Sequence, residues 1–474
     1  MTELCDLTAT DLLDLYRSGK ARPSEAVDSC LGRIERLEPS LNAVLTLLSV
    51  RARAQAAASD ARWQDGNPRA LEGVPFLLKD IVATAGIRTT GGSSIYRDWV
   101  PTRSAALATR LEEAGGSLLA KVQTMEFAYG HEVNTTWGPM LNPWDLERTT
   151  GGSSSGSGAG VAARYAPLAI GTDTGGSIRD PSSFCNLTGI KPTYGRVPRH
   201  GVMPLAWSLD HAGPMTRDVR DAALMLEVIA GYDAGDPMSS RQPVPEYSAL
   251  LGDGSAAGLR VGVPVEWFWD VIDPEVKAAA DRLVAVLVDA GATVTPVHLP
   301  NVHLSDVIGW TVMLAEFGSL HEVTLDRLAE YDTGNIDALP AAQFVSASDY
   351  LRAQRLRNLV QRDFEAAFDE VDVLVVPGSI SVAPRLDEMG ATIDGTFYGY
   401  VEYFLRTMFV FNVTGLPALS VPSGLSAAGL PMGVQLVARP FGEATAFRAA
   451  RVVQQATAFH TAVPPLVSAL SREG

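Results

Sequence analysis

Apolar residues along the chain fall into two alternating patterns. In one, they recur three or four positions apart, as on a helix that rests one face on a core. In the other, they form short unbroken runs bounded by glycine, proline or polar residues, as in a strand buried on both faces. Near the start, Leu12, Leu13, Leu15 and Tyr16 mark a helix that Thr8 caps, with Asp11 in the capping-box position, and that Gly19 stops. A second helix begins at Pro23 and Ser24 and carries Cys30, Ile34 and Leu37; a third crosses the alanine-rich 51–61. From residue 73 the patterns alternate. The run GVPFLL at 73–78 reads as a buried strand, 104–114 as a helix, 117–122 as a strand, 159–165 as a helix and 166–170 as a strand. Later strands are expected at 259–263, 293–297, 371–376, 418–421 and 432–437, with helices at 274–290, 350–368 and 443–456.

This alternation predicts an α/β fold with a large mixed β-sheet covered by helices on both faces. No two-domain boundary is visible. The chain reads as one domain over 1–474, with an N-terminal helical segment at about 1–65. The stretch 232–258, rich in Asp, Pro, Gly and Ser, reads as a surface connection, and the charge-balanced 320–345 as an insertion over the core.

Composition narrows the partners. A formal net charge of −16 disfavours nucleic acid and anionic membranes. The acidic start, MTELCDLTATD, has neither the basic nor the apolar region of a secretory leader, and no apolar run is long enough to span a bilayer. Cys5, Cys30 and Cys185 stand far apart, form no CxxC pair and fit a reducing compartment. The expectation is a cytoplasmic protein, monomeric or homodimeric, acting on a small molecule and water.

The chemistry concentrates in TTGGSSSGSGAGVAARYAPLAIGTDTGGSIRD, residues 149–180. A Gly/Ser run usually means flexible coil, but here it leads through an apolar run into a second tight turn. In that turn Ser177 follows Thr174, Gly175 and Gly176, and glycines let successive backbone N–H groups converge on one point. Such a nest can hold the oxyanion of an acyl transfer, beside a serine able to attack. The seven histidines, at 131, 200, 211, 298, 303, 321 and 460, form no distinctive constellation. A GxSxG pattern centres on Ser154, but no strand precedes it, which disfavours a nucleophile elbow. Lys79, at the end of a buried-looking strand, is the alternative base, because desolvation favours the neutral amine.

These residues carry a resemblance. The motifs GVPFLLKD at 73–80, NPWDLERTTGGSSSGSGAG at 142–160, GTDTGGSIRDPSSFCNLTGIKPTYGRV at 171–197, TGLPALSVP at 414–422 and LPMGVQLVARPFGEATAFRAA at 430–450 are similar to the amidase signature family, over about residues 20–460. The resemblance implies the amidase signature fold and a Ser-Ser-Lys amidohydrolase. Lys79 would be the base, Ser153 the bridging serine with a cis bond to Gly152, and Ser177 the nucleophile. Thr174, Gly175, Gly176 and Ser177 would supply the oxyanion N–H groups. Ser154, Asp173 and Arg179 would support the site. The segment 125–130, with Ala128, Tyr129 and Gly130, would join Ser153 in lining the substrate pocket. No metal or cofactor is implied.

Two departures, Ser155 for a common glycine and Thr150 for a common proline, remove no catalytic group. A third bears on substrate. Leu405 stands where the glutaminase subunit of the tRNA-dependent amidotransferase carries an aspartate, and no counterpart of its Arg-rich segment is found near 345. The expected substrate is therefore a small or bulky amide or anilide, with a carbamate or ester as the alternative and a glutamine amidotransferase subunit ranked last. Phe404, Met408, Phe409 and Phe411 are candidates to line such a pocket.

Overall fold

The computed structural model describes residues 3–130 and 133–470; His131 lies outside the described residues. Eleven strands form one mixed sheet in the order Val44–Leu47, Ser117–Val122, Pro75–Lys79, Leu168–Asp173, His211–Thr216, Thr188–Lys191, Ala418–Leu425, Pro431–Ala438, Val373–Pro377, Arg260–Pro264 and Thr293–Val297. The Pro75–Lys79 strand runs parallel to both of its neighbours, and so does Arg260–Pro264. The strands between these two groups pair antiparallel.

The inner strands are buried along their whole length. Successive side chains enter different cores, as the two-residue strand period requires. Phe76 and Leu78 pack on one side and Leu77 on the other; Val373 and Val375 part from Leu374 and Val376 in the same way. Helices therefore cover both faces, and the predicted α/β architecture holds. No helix among the described residues is long and apolar enough to cross a membrane.

The Thr8 cap forms as expected: its side chain accepts from Asp11 N, ahead of the Ala9–Arg17 helix. Two differences bear on the site. The helix expected at 159–165 spans Ser155–Ala162 and so begins inside the Gly/Ser run. Its glycines serve close packing. A Cβ would stand 2.5 Å from Gln123 N at Gly156, 3.0 Å from Pro181 Cβ at Gly158 and 2.7 Å from Leu77 Cδ1 at Gly160. The strand expected at 166–170 spans Leu168–Asp173, which carries it to the edge of the second turn. The Ser305–His321 helix escaped the pattern because its buried residues, Ile308, Val312, Met313, Phe317 and His321 among them, lie on more than one side. The 320–345 region folds as a 3-10 segment, Glu322–Glu330, and a helix, Thr333–Ala342.

Candidate active site

Lys79 ends its strand with a side chain that is 0% exposed. Its Nζ lies 2.8 Å from Ser153 Oγ, 3.0 Å from Ser154 Oγ and 2.8 Å from Thr172 Oγ1. None of these partners is an anion. Burial therefore lowers the amine to about 7, against the pull of Asp173 and Asp210. Near neutral pH half of the amine is unprotonated and can accept from Ser153. Ser154 holds the frame: its Oγ donates to Thr172 O at 3.0 Å and accepts from Thr172 N at 3.1 Å. Thr172 was missed in the sequence. Its signal is topological, since the parallel pairing of Leu78 with Ile170 sets the two strand ends side by side.

The turn after Asp173 is built around a buried ion pair. Arg179 Nη2 lies 2.9 Å and Nε 3.0 Å from the Asp173 carboxylate, both side chains 0% exposed. Arg179 also reaches Gln435 Oε1, Asn412 Oδ1 and Met408 O. Burial alone would raise the Asp173 carboxyl, but the Arg179 guanidinium holds it well below the usual carboxylate range. Asp173 accepts from Gly176 N at 2.9 Å and Ile178 N at 3.1 Å, and Asn412 Nδ2 donates to it at 2.8 Å. These contacts tie Asp173 and Arg179 to both ends of the loop. Replacing Arg179 by methionine would leave a buried carboxylate unpaired, and a stability loss of about 3–5 kcal/mol is expected. Denaturant titration checks this; a loss below about 1 kcal/mol would contradict it.

The same contact narrows the oxyanion set. The Gly176 N–H is taken by Asp173, whereas the N–H groups of Thr174, Gly175 and Ser177 have no hydrogen-bond partner among the described residues. Gly176 serves the shape of the turn instead. Its φ is +139°, and a Cβ there would meet Met408 Sδ at 2.7 Å. Ser177 Oγ also forms no hydrogen bond among the described residues. Ser177 and Ser153 line the same cavity, without a hydrogen bond joining them. His211 is buried with Nδ1 toward Leu209 O and Asp173 O, which leaves its imidazole no part in that cavity.

The Gly152–Ser153 peptide bond is cis, as the resemblance implies. Two further groups hold the amide just before it: Gly152 N donates to Asp180 Oδ2 and to Tyr400 Oη, each at 3.1 Å. Tyr400 in turn donates to Asp180. Burial raises the Asp180 carboxyl to about 7, against the stabilising bonds from Tyr400 and Gly152. Asp180→Asn is expected to keep the fold and lower kcat about tenfold at pH 8, where the carboxylate form dominates. An unchanged kcat across pH 6–8 would rule out this positioning role.

The cavity has a volume of about 580 Å³. Ala128, Tyr129, Gly130 and Ser153 all lie on its wall, with Met125, Gly175, Trp310, Met313 and Phe404. Met408 and Phe409 press on Gly176 and Gly175 from behind, and Phe411 stacks on Phe268 in the core, so of the four aromatic and Met candidates Phe404 alone reaches the wall. Asp337 is the one charged side chain there among the described residues. Leu405 is not on the wall; it packs into a core cluster at 7% exposure.

The chain matches the Amidase family model over residues 25–447. Curated relatives at 38–42% identity, over 96–98% of this chain, are glutamyl-tRNA(Gln) amidotransferase subunits A. The one from Geotalea daltonii is 39% identical, spanning 97% of this chain and 99% of its own. Among solved structures, a chain of an inhibitor-bound vestigial protein complex described as revealing the evolutionary origins of an s-triazine catabolic enzyme superposes with a TM-score of 0.91 at 32% identity, covering 95% of this chain and 98% of its own. A bacterial aryl acylamidase of the amidase signature family gives 0.86 at 27% identity, covering 96% and 97%. The amidotransferase relatives overturn the substrate ranking, which placed a small or bulky amide or anilide first and a glutamine amidotransferase subunit last. That ranking leaned on the lack of an Arg-rich segment near 345 and on position 405, whose side chain packs in the core here and is a poor guide to what the cavity holds. By its sequence match, its sheet and its near-full-length relatives, the chain is an enzyme of hydrolytic type and belongs to the amidase signature family.

Proposed function

We propose that this chain is the amide-hydrolysing A subunit of a glutamyl-tRNA(Gln)-type amidotransferase, cleaving a carboxamide and releasing ammonia to a partner. The supporting observation is a buried, uncharged-partner environment for Lys79 beside Ser153 and a free Ser177, in a chain similar to curated A subunits over nearly its whole length. Neutral Lys79 takes a proton from Ser153 as Ser153 takes one from Ser177. Ser177 Oγ then attacks the carboxamide carbon. The oxyanion forms against the N–H groups of Thr174, Gly175 and Ser177. The proton returns through Ser153 to the leaving nitrogen, ammonia departs, and water hydrolyses the acyl-enzyme by the reverse relay.

This proposal includes one amidase domain over 1–474, with 1–65 as a start that is helical around the Val44–Leu47 strand and 232–258 as a surface connection. The 11-stranded sheet, which takes strands from Val44 to Ala438, supports it. A cytoplasmic site of action is part of the same reading. The derived steps use no metal, so turnover is expected to be unchanged in EDTA; a loss restored by added metal would contradict them.

The test is a glutaminase assay on the chain purified with the amidotransferase partner subunits of its source. Glutamate and ammonia should appear from glutamine and require Ser177. Intact glutamine in the assembled complex, with Ser177 still labelled by a fluorophosphonate, would overturn the reading. Asp337 would face the α-ammonium of glutamine. Asp337 is exposed on the cavity wall, so Asp337→Asn is expected to raise KM about three- to fivefold with kcat little changed, as for a solvated ion pair. A KM unchanged within twofold would remove Asp337 from the substrate contact.

A further inference from the structure

A second cavity, also about 580 Å³, opens away from the active site. Arg164, Arg217, Arg220, His460, Thr8, Ser468 and the carboxylates Asp6, Asp11 and Asp218 are among its walls. It lies at the N-terminal end of the Leu168–Asp173 strand, whose C-terminal end carries Thr172 and leads to Ser177.

Three arginines and three carboxylates share its walls, but they do not pair one to one. Each carboxylate already has an arginine: Asp6 pairs with Arg33 at 3.1 Å, Asp11 with Arg220 at 3.3 Å and Asp218 with Arg220 at 2.9 Å. Arg217 is 5% exposed and donates to backbone carbonyls only, among them Ala166 O at 3.2 Å and Val161 O at 3.3 Å. Arg164 is 7% exposed and lines the cavity, and among the described residues no hydrogen bond or ion pair satisfies its guanidinium. A guanidinium cannot shed its charge at physiological pH. Burial and the neighbouring Arg217 both push against that charge. An unpaired buried charge is costly unless something neutralises it. His460 adds a buried Nδ1 that lacks a partner among the described residues.

The backbone holds Arg164 in this position. It follows the Ser155–Ala162 helix in the left-handed conformation, φ 67°, where glycine is the usual residue. The close of the helix is complete, with Arg164 N bonded to Val161 O at 3.2 Å and Tyr165 N to Gly160 O at 2.8 Å. The helix ending therefore does not need an arginine side chain.

We infer that this cavity is a binding site for a small oxyanion, a phosphate or a carboxylate, held by the guanidinium group of Arg164 beside the positive charge of Arg217. The Arg164 group is a forked donor suited to two-oxygen contacts; both terminal nitrogens of Arg217 are taken by the carbonyls of Val161, Ala166, Cys5, Asp6 and Leu7, so Arg217 contributes charge alone. The inference is independent of the substrate of the active site.

The experiment is thermal melting of the full chain in chloride buffer at constant ionic strength, with added inorganic phosphate, sulfate, acetate or citrate. A site-bound anion should raise the melting temperature by about 2–5 °C at saturation. Arg164→Met should abolish that rise and melt above the wild type without anion, because it removes the unpaired charge. Arg164→Gly suits the left-handed backbone and lacks the guanidinium, and serves as the second variant if methionine fails to fold. A rise with phosphate and sulfate alone would identify a tetrahedral ligand, and one with acetate or citrate a carboxylate. No rise with any of the four, or an equal rise in wild type and variants, would overturn the inference.

Discussion

Replacing Ser177 by alanine is expected to lower kcat by about 10⁴- to 10⁶-fold while moving the melting temperature by no more than about 2 °C. The kinetic part follows from the role of the Oγ. Losing the nucleophile of an acyl-enzyme removes the covalent path, and what survives is binding and oxyanion stabilisation. The stability part follows from the structure. Ser177 Oγ forms no hydrogen bond among the described residues and faces a cavity, so its removal leaves no buried group orphaned and no packed volume empty. Single-turnover ammonia release measures the first effect and a melting curve the second. Covalent labelling by a fluorophosphonate should vanish with the same substitution. Near-normal turnover in Ser177→Ala would mean that another group attacks. A large fall in melting temperature would mean that the hydroxyl is structural.

Replacing Lys79 by methionine should cost about 10³-fold or more in kcat, and its effect on stability should depend on pH. The working form in the relay is the neutral amine. Wild-type kcat/KM is therefore expected to rise tenfold per pH unit below about 7 and to level off above it. The stability sign is opposite to that of an ordinary salt-bridged lysine. Burial lowers the amine from 10.5 in the unfolded chain to about 7 in the folded one. Between those values the unfolded chain binds more protons, so stability rises with pH across that window and is lowest below pH 7. Lys79→Met removes this slope. It should melt above the wild type at pH 6, and the gap should close toward pH 10. A wild-type activity profile flat from pH 6 to 9, or a variant destabilised equally at every pH, would show that the amine is not the base.

The sequence carried much of this site because its parts are local. The proposed base Lys79, the proposed bridge Ser153 and the 173–179 turn each sit in one short motif, and a strand-turn pattern with glycines at fixed places is visible without a structure. The Asp173–Arg179 brace is also local, six positions apart within the same turn. Less visible were groups that act across the fold. Thr172 meets Lys79 only because two strands 93 positions apart in sequence run side by side. Asp180 and Tyr400 meet over 220 positions to hold the Gly152 amide. No periodicity marks either residue, since neither belongs to a repeating apolar face.

The Gly/Ser run shows the same division. Composition made it look like coil, and only the packing explains it. Gly156, Gly158 and Gly160 lie where the Ser155–Ala162 helix presses against Gln123, Pro181 and Leu77, with no room for a Cβ. The substrate ranking failed for a related reason. An aspartate replaced at position 405 suggests a change of substrate only if that position faces it, and the turn of the Tyr400–Thr407 helix directs Leu405 into the core and Phe404 toward the cavity.

By itself the sequence determined the α/β class and the order of most elements, because periodicity and turn chemistry are properties of neighbours along the chain, and its resemblance to the amidase signature family supplied the three candidate reacting groups. The tertiary structure decided the rest. It selected which backbone N–H groups remain free for an oxyanion, which side chains hold the Gly152 amide and which residue carries the cavity's one charge. It also left Arg164 buried without a counter-charge. Each of these depends on which distant groups compete for the same hydrogen bond or the same volume, and that competition exists only once the chain has folded.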